Sequence, residues 1–275
     1  IYEDLREVIG GYINAYTHPE EMRACYIYKG MEREITRKAA FTELISSICD
    51  EVYSDTPVIN SEAINKNLIT SVANNSRNKI VAGLLRNELE ENLGLTGTGQ
   101  EVSIMRSTLM RPGVLIMGEG NAKINLKPAD RLMRNMLGTI EDFILETRDN
   151  GDRNFSILYD RLTMPENHIG LRRGVIPIYL AAVIHEYKQQ VIISDRFGQV
   201  AANVDALLQI NAKPENFILS YLDWNPEKAE FIQRIAEIFE EYVIDAERKA
   251  NSYGFVVSAM RRWYVSLPKY TKEAK

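Results

Sequence analysis

Two cysteines, three histidines and two tryptophans in 275 residues leave little material for metal ligation or cross-linking. Cys25 and Cys49 form no spaced disulfide framework and sit in apolar patterns that predict burial, so the chain reads as a protein of a reducing, cytoplasmic setting. His18, His168 and His185 stand far apart, with no cysteine or carboxylate at zinc-ligand spacing. There is no Gly-x-Ser-x-Gly elbow and no internal repeat. The longest apolar runs, such as Val175–Ile184, are too short to cross a bilayer, and no basic segment followed by an apolar stretch opens the chain. These absences argue against a membrane partner, a resident metal and a self-sufficient enzyme.

What is present is an ordinary globular composition, 45% hydrophobic with a net charge of −5, enough for a substantial core. The start at Ile1 without methionine and the stop at Lys275 read as an excised piece of a longer polypeptide, whose remainder is an expected partner.

Apolar residues at three- and four-residue intervals predict a helix over residues 2–16 and another after Thr36, its expected cap, with Phe41, Leu44, Ile45, Ile48, Cys49 and Val52 on a buried face. Between them, residues 24–35 read as a small hairpin. The run from Asn60 to Leu93 predicts two helices interrupted at Asn74-Asn75-Ser76. Further helices are expected from Gln100 to about Met110, after Pro128 in a first turn with Leu132, Met136, Ile140, Phe143 and Ile144 inward, and over Phe155–Leu162. Asp149-Asn-Gly-Asp152 marks an expected boundary, giving a helical domain 1–150 with a small N-terminal hairpin and a winged-helix-like subdomain 151–275 followed by two long helices.

That second part, from Gly170-Leu-Arg-Arg-Gly-Val-Ile-Pro177 through Trp224, combines a buried helix around Tyr179–Tyr187, a strand Val191–Ser194, a helix Asn203–Ile210 and an extended Asn216–Leu222. The two long helices are Pro226–Glu247, with Phe231, Ile235, Ile238, Phe239 and Tyr242 inward, and Tyr253–Leu267, stopped by Pro268. The fold class is therefore mainly α, a multi-helical domain with a small winged-helix-like α+β portion.

Gly94-Leu-Thr-Gly-Thr-Gly-Gln-Glu101 has the glycine spacing of a phosphate-binding loop, yet Gln100 and Glu101 stand where lysine and Ser/Thr are required, so it reads as a turn before a helix. Glu237, Glu240, Glu241, Asp245 and Glu247 read as a solvated helix face. The cations are more informative. Residues 63–87 carry Lys66, Arg77, Lys79 and Arg86 with no acid, and residues 106–134 carry Arg106, Arg111, Lys123, Lys127, Arg131 and Arg134 against Glu119 and Asp130 alone. Arg172, Arg173, Lys188 and Arg196 accompany the winged-helix-like block. Such clusters suit phosphate contact, whose affinity falls steeply with salt, or pairing with an acidic helix of a neighbour. The residues expected to contact nucleic acid are Arg172, Arg173, Lys188, Arg196, Arg77 and Lys79.

Pro57-Val-Ile-Asn-Ser-Glu-Ala-Ile-Asn65, the Gly94–Glu101 loop, Gly170–Pro177, Pro214-Glu-Asn-Phe217 and Trp263-Tyr-Val-Ser-Leu-Pro-Lys-Tyr-Thr271 occur in an order that resembles the non-catalytic middle region of large bacterial P-loop ATPases of phage-defence islands, the BREX/Pgl-associated type. The resemblance implies a regulatory or DNA-contacting segment, with other defence-system subunits as partners and ATP bound elsewhere in the parent chain. This piece carries no Walker lysine, so the resemblance assigns it no cofactor and no catalytic residue. The alternative is a protein–protein or oligomerisation scaffold without nucleic-acid binding.

Overall fold

The computed structural model describes residues 2–118, 121–223, 225–250 and 254–273; Ile1, Glu119, Trp224, Tyr253 and Lys275, which enter the sequence reading, lie outside the described residues. The protein is mainly α, with a few small sheets. It divides into two compact units, Ile1–Ser54 and Asp55–Lys275.

The first unit contains helix α1 (Tyr2–Thr17), an antiparallel hairpin β1 (Tyr26–Tyr28) and β2 (Met31–Arg33), and helix α2 (Lys38–Val52). Tyr26 packs its ring on Phe41 with centroids 5.4 Å apart. Pro19 is the sole buried residue among those described in this unit. The sequence-based burial is corrected for α2 and the cysteines: Ile45, Cys49 and the Cys25 thiol are exposed, as are Leu5, Val8, Ile9, Tyr12 and Ile13 of α1. Periodicity marks an apolar stripe but not its cover, and a unit this short has too little chain to bury both helices. Thr36 is not the cap of α2; Arg37 occupies that position without a side-chain bond.

The second unit is organised around helix α7 (Ile176–Glu186), in which every residue from Ile176 to Ile184 is buried. A helix apolar on all sides must be enclosed on all sides. Helix α3 (Ser71–Leu84), helix α5 (Arg131–Asn150) and helix α8 (Val204–Ala212) pack against it. Only one α-helix forms in the run from Asn60 to Leu93, with a single 3-10 turn at Glu91–Gly94 at its end. Asn74, Asn75 and Ser76 lie inside α3, held by tertiary bonds such as Ser76 Oγ to Gln100 Oε1 at 3.2 Å. Leu68 and Val72 are exposed. Residues 57–69 instead cross the chain at Gly174, where a Cβ would meet the Ile64 carbonyl oxygen at 2.1 Å, so only glycine permits the approach.

Helix α4 (Gln100–Met105) continues as a π turn through Met110 and leads to hairpin β3 (Leu115–Met117) and β4 (Ala122–Ile124). Pro128 is not in the first turn of α5. Asp130 caps that helix, accepting the Met133 N–H at 2.7 Å. Met136, Ile140, Phe143 and Ile144 are buried on α5 as the spacing predicts.

The anticipated boundary at Asp149–Asp152 falls inside this unit. Gly151, at φ 81°, turns the chain from α5 directly into β5 (Arg153–Asn154), a tight connection rather than a linker. Helix α6 (Phe155–Thr163) comes next. An antiparallel sheet in the order β5-β8-β6-β7 is completed by β6 (Val191–Asp195), β7 (Gly198–Val200) and β8 (Ile218–Tyr221), and β8 packs on α5. The β6–β7 hairpin succeeds α7 as a wing succeeds its helix, but β8 intervenes between β5 and β6.

The predicted helix Pro226–Glu247 is broken. Helix α9 (Pro226–Ile238), a single turn at Glu240–Tyr242 and helix α10 (Asp245–Ala250) replace it, before helix α11 (Gly254–Ser266) and helix α12 (Lys269–Glu273). The break lets Ile232, Ile235, Ala236 and Val243 fold over Phe255 and Val256 in a small second core. Phe231 and Ile238, expected inward, are exposed. Arg262 closes the arrangement with two bonds to the Glu247 carboxylate, at 2.9 and 2.7 Å.

Candidate nucleic-acid interface

Four of the six cations expected to contact nucleic acid are engaged within the protein. Arg77 is buried on α3, donating to the Gly174 carbonyl at 3.4 Å and to Asn74 Oδ1. Burial depresses its guanidinium pKa. Arg173 donates to the Asn211 carbonyl at 2.7 Å and lies over the Tyr159 ring, 5.3 Å from its centroid. The Tyr159 hydroxyl in turn donates to Asn211 Oδ1 at 3.1 Å. Burial raises its pKa against the pull of Arg173 and Arg77. These two arginines therefore tie α3, α6 and α8 together.

Lys188 donates to the Asn87 carbonyl just beyond the end of α3, and burial lowers its pKa. Beside it, His185 Nδ1 lies 2.8 Å from the Leu84 carbonyl oxygen, an acceptor, so that nitrogen carries the proton. Burial, and after it the charge of Lys188, pushes the His185 pKa down to about 4. The carbonyls left without partners where α3 ends are thus satisfied by His185 in the last turn of α7 and by Lys188 just past that turn. Lys79 pairs with Glu101 at 2.7 Å and holds that carboxyl below its ordinary range. Arg172 and Arg196 are outward and form no ion pair among the described residues, Arg196 with its guanidinium 4.5 Å from the centroid of the exposed Phe197 ring. Helix α7, which precedes the hairpin where a recognition helix would stand, is enclosed and has no face for a groove.

The other basic stretch has a different fate. Arg106 and Arg111 flank the π turn, and the Arg111 N–H donates to the Arg106 carbonyl at 2.9 Å. Lys123 on β4 lies opposite Ile116, and both face outward. The hairpin's return strand is stitched to the preceding turn: Asn125 donates from its backbone to Val114 at 2.7 Å and from its amide to Gly113 at 2.9 Å. Its Oδ1 accepts the Lys127 N–H at 3.0 Å. Arg134 reaches back to the Pro128 carbonyl at 3.2 Å, closing the start of α5 onto the same corner as Arg131.

All six of Arg106, Arg111, Lys123, Lys127, Arg131 and Arg134 are exposed. None pairs with a carboxylate among the described residues, and the Asp130 carboxylate is committed to capping α5. Exposed like charges that form no ion pair among the described residues raise the local field and favour a polyanion. This corner is legible in the sequence as charge; which cations stay free is decided by packing.

Elsewhere, Glu237, Glu240, Glu241 and Asp245 are exposed, as a solvated face requires, while Glu247 is the partner of Arg262. Gly99 precedes α4 as its backbone cap, and Glu101 serves Lys79, so the glycine loop is a turn into a helix. No group of three or more His, Cys, Asp or Glu among the described residues is placed to share a metal ion. No helix among them is long and apolar enough to cross a membrane. No family model, no curated protein and no solved structure matches the chain.

Proposed function

We propose that this chain is a non-catalytic, DNA-contacting segment of a larger bacterial defence ATPase, acting in the cytoplasm, with ATP bound by other parts of the parent chain. The parent rests on the resemblance of Pro57–Asn65, Gly170–Pro177 and Trp263–Thr271 to the BREX/Pgl-associated type. The DNA contact rests on one observation: six exposed cations on the π turn, the β3–β4 hairpin and the chain leading into α5, none of them ion-paired among the described residues. Lysines and arginines meeting phosphates release condensed counterions, so contact is made to the backbone without regard to sequence.

The test is titration of a short labelled duplex at salt concentrations between about 50 and 200 mM, where each phosphate contact adds about 0.9 to the log–log slope. Arg131→Glu with Arg134→Glu weakens binding and lowers that slope by about two. A wild-type protein that does not bind duplex even at low salt contradicts the reading.

One observation favours the scaffold alternative. Helix α1 exposes Tyr2, Leu5, Ile9, Tyr12 and Tyr16 at alternating three- and four-residue steps, the spacing of a helix–helix seam. Light scattering across a concentration series checks it: self-association that Leu5→Glu with Tyr12→Glu abolishes supports the scaffold, and a monomer at every concentration removes it.

A further inference from the structure

The β6–β7 hairpin turns through two residues, Arg196 and Phe197, between the paired Asp195 and Gly198. Two-residue hairpin turns favour residues that tolerate positive φ. The β1–β2 hairpin obeys that rule, with Lys29 at φ 53° and Gly30 at φ 73°, whereas neither Arg196 nor Phe197 takes a positive φ and it falls instead on Gly198, at 122°. The turn is held by Asp195, whose Oδ1 accepts the Phe197 N–H at 2.8 Å. Folding therefore asks nothing of the Phe197 ring, which is 81% exposed. A large aromatic kept in water at a turn that local chemistry would fill otherwise is a departure of the kind found at functional sites.

Beside this tip opens a cleft of about 740 Å³, lined by Asn154, by Asp195 and the two turn residues, and by residues between Gln209 and Ile218. That volume suits a ligand of nucleotide size. Gln209, Lys213 and Asn216 line it and are exposed, and among the described residues their side chains make no hydrogen bond or ion pair. One face of Phe197 is covered by Arg196 and the other is open. Asp195 and Glu215 both belong to the lining, the Asp195 Oδ1 being held by the Phe197 N–H, which disfavours a polyphosphate and leaves room for a single phosphate near Lys213 and Arg196.

We propose that this cleft binds one unpaired nucleotide, its base stacked on the open face of Phe197, its edge bonded by the amides of Gln209 and Asn216, and its phosphate met by Lys213 and Arg196. Stacking on an exposed aromatic is the general way proteins hold unpaired bases. The site is independent of the duplex contact at the β3–β4 corner. Its ligand chemistry is shared by a free nucleoside monophosphate and by a nucleotide within a single strand.

The experiment measures adenosine monophosphate by calorimetry and a short labelled single strand by fluorescence anisotropy. Binding of either that Phe197→Ala weakens supports the site. Binding of the mononucleotide assigns a free nucleotide as sufficient, and binding of the strand alone assigns the nucleotide to a strand. Phe197→Ala weakens the interaction about tenfold or more, while Phe197→Trp retains it and its fluorescence is quenched on binding. The exposed position makes both variants fold as the parent does, checked by an unchanged melting curve. Failure of both ligands to bind, or an unchanged affinity in Phe197→Ala, overturns the proposal. Arg131→Glu with Arg134→Glu leaves nucleotide binding intact and Phe197→Ala leaves duplex binding intact, so either site can fail without the other.

Discussion

The cations around α7 and those around the β3–β4 hairpin look alike in the sequence and behave oppositely in the fold. Arg77, Arg173 and Lys188 spend their donors on carbonyls at element ends, Gly174, Asn211 and Asn87, which burial would otherwise leave without partners. The six cations of residues 106–134 stay exposed; among the described residues only Arg134 of the six gives a side-chain donor to the fold, at the Pro128 carbonyl, and the Asp130 carboxylate serves a backbone N–H. A cluster of lysines and arginines thus carries two meanings, an internal bracket or an outward field, and the supply of buried acceptors separates them.

The sharpest way to break this comparison is to remove a bracket. Arg77→Ala strips partners from Gly174 and Asn74 and leaves a void among α3, α6 and α8, at a cost of about 3 kcal/mol, which lowers Tm by roughly 6 °C or more. Calorimetric or circular-dichroism melting checks it. Reversing two charges at the corner, Arg131→Glu with Arg134→Glu, moves Tm little and instead reduces duplex affinity by about a hundredfold at low salt.

A smaller effect concerns His185. Its folded pKa of about 4 lies below the ordinary 6.5, so the unfolded chain binds the extra proton first as pH falls. Stability is therefore full above pH 6.5 and declines towards pH 4, by on the order of 2 kcal/mol from this side chain after allowance for solvent screening. His185→Gln keeps a donor for the Leu84 carbonyl and flattens that part of the decline, read as the difference between the two proteins' Tm across this range. The smallest effect is at Lys79, whose exposed pair with Glu101 is screened by water; Lys79→Ala leaves the melting curve unchanged.

The sequence made the core of the larger unit legible because its signal is redundant. The unbroken apolar run at Val175–Ile184 can only be central, and the spacing of Met136, Ile140, Phe143 and Ile144 fixes the inward face of α5. It failed where one tertiary contact overrides local preference. Asn74-Asn75-Ser76 reads as a break and is helix because Gln100 and Arg77 engage it. Pro226–Glu247 reads as one helix and bends because Phe255 and Val256 need a cover from two directions.

The candidate sites were half legible for the same reason. Charge counts found the residues of the β3–β4 corner, but ranked beside them arginines that the fold had already engaged. Lys213 and Phe197 gave no signal as charge or periodicity. The trace they left was a two-residue turn filled by Arg and Phe, visible only once Asp195 and Gly198 are known to pair.

The most direct measurement compares duplex affinity, at one low salt concentration, for two variants carrying the same change in net charge: Arg131→Glu with Arg134→Glu, and Arg172→Glu with Arg173→Glu. The first should lose about two orders of magnitude of affinity while melting as the wild type does, and the second should melt earlier but bind duplex with near wild-type affinity while folded. Equal losses in both, or a loss confined to the second, would contradict the division between outward and bracketing cations.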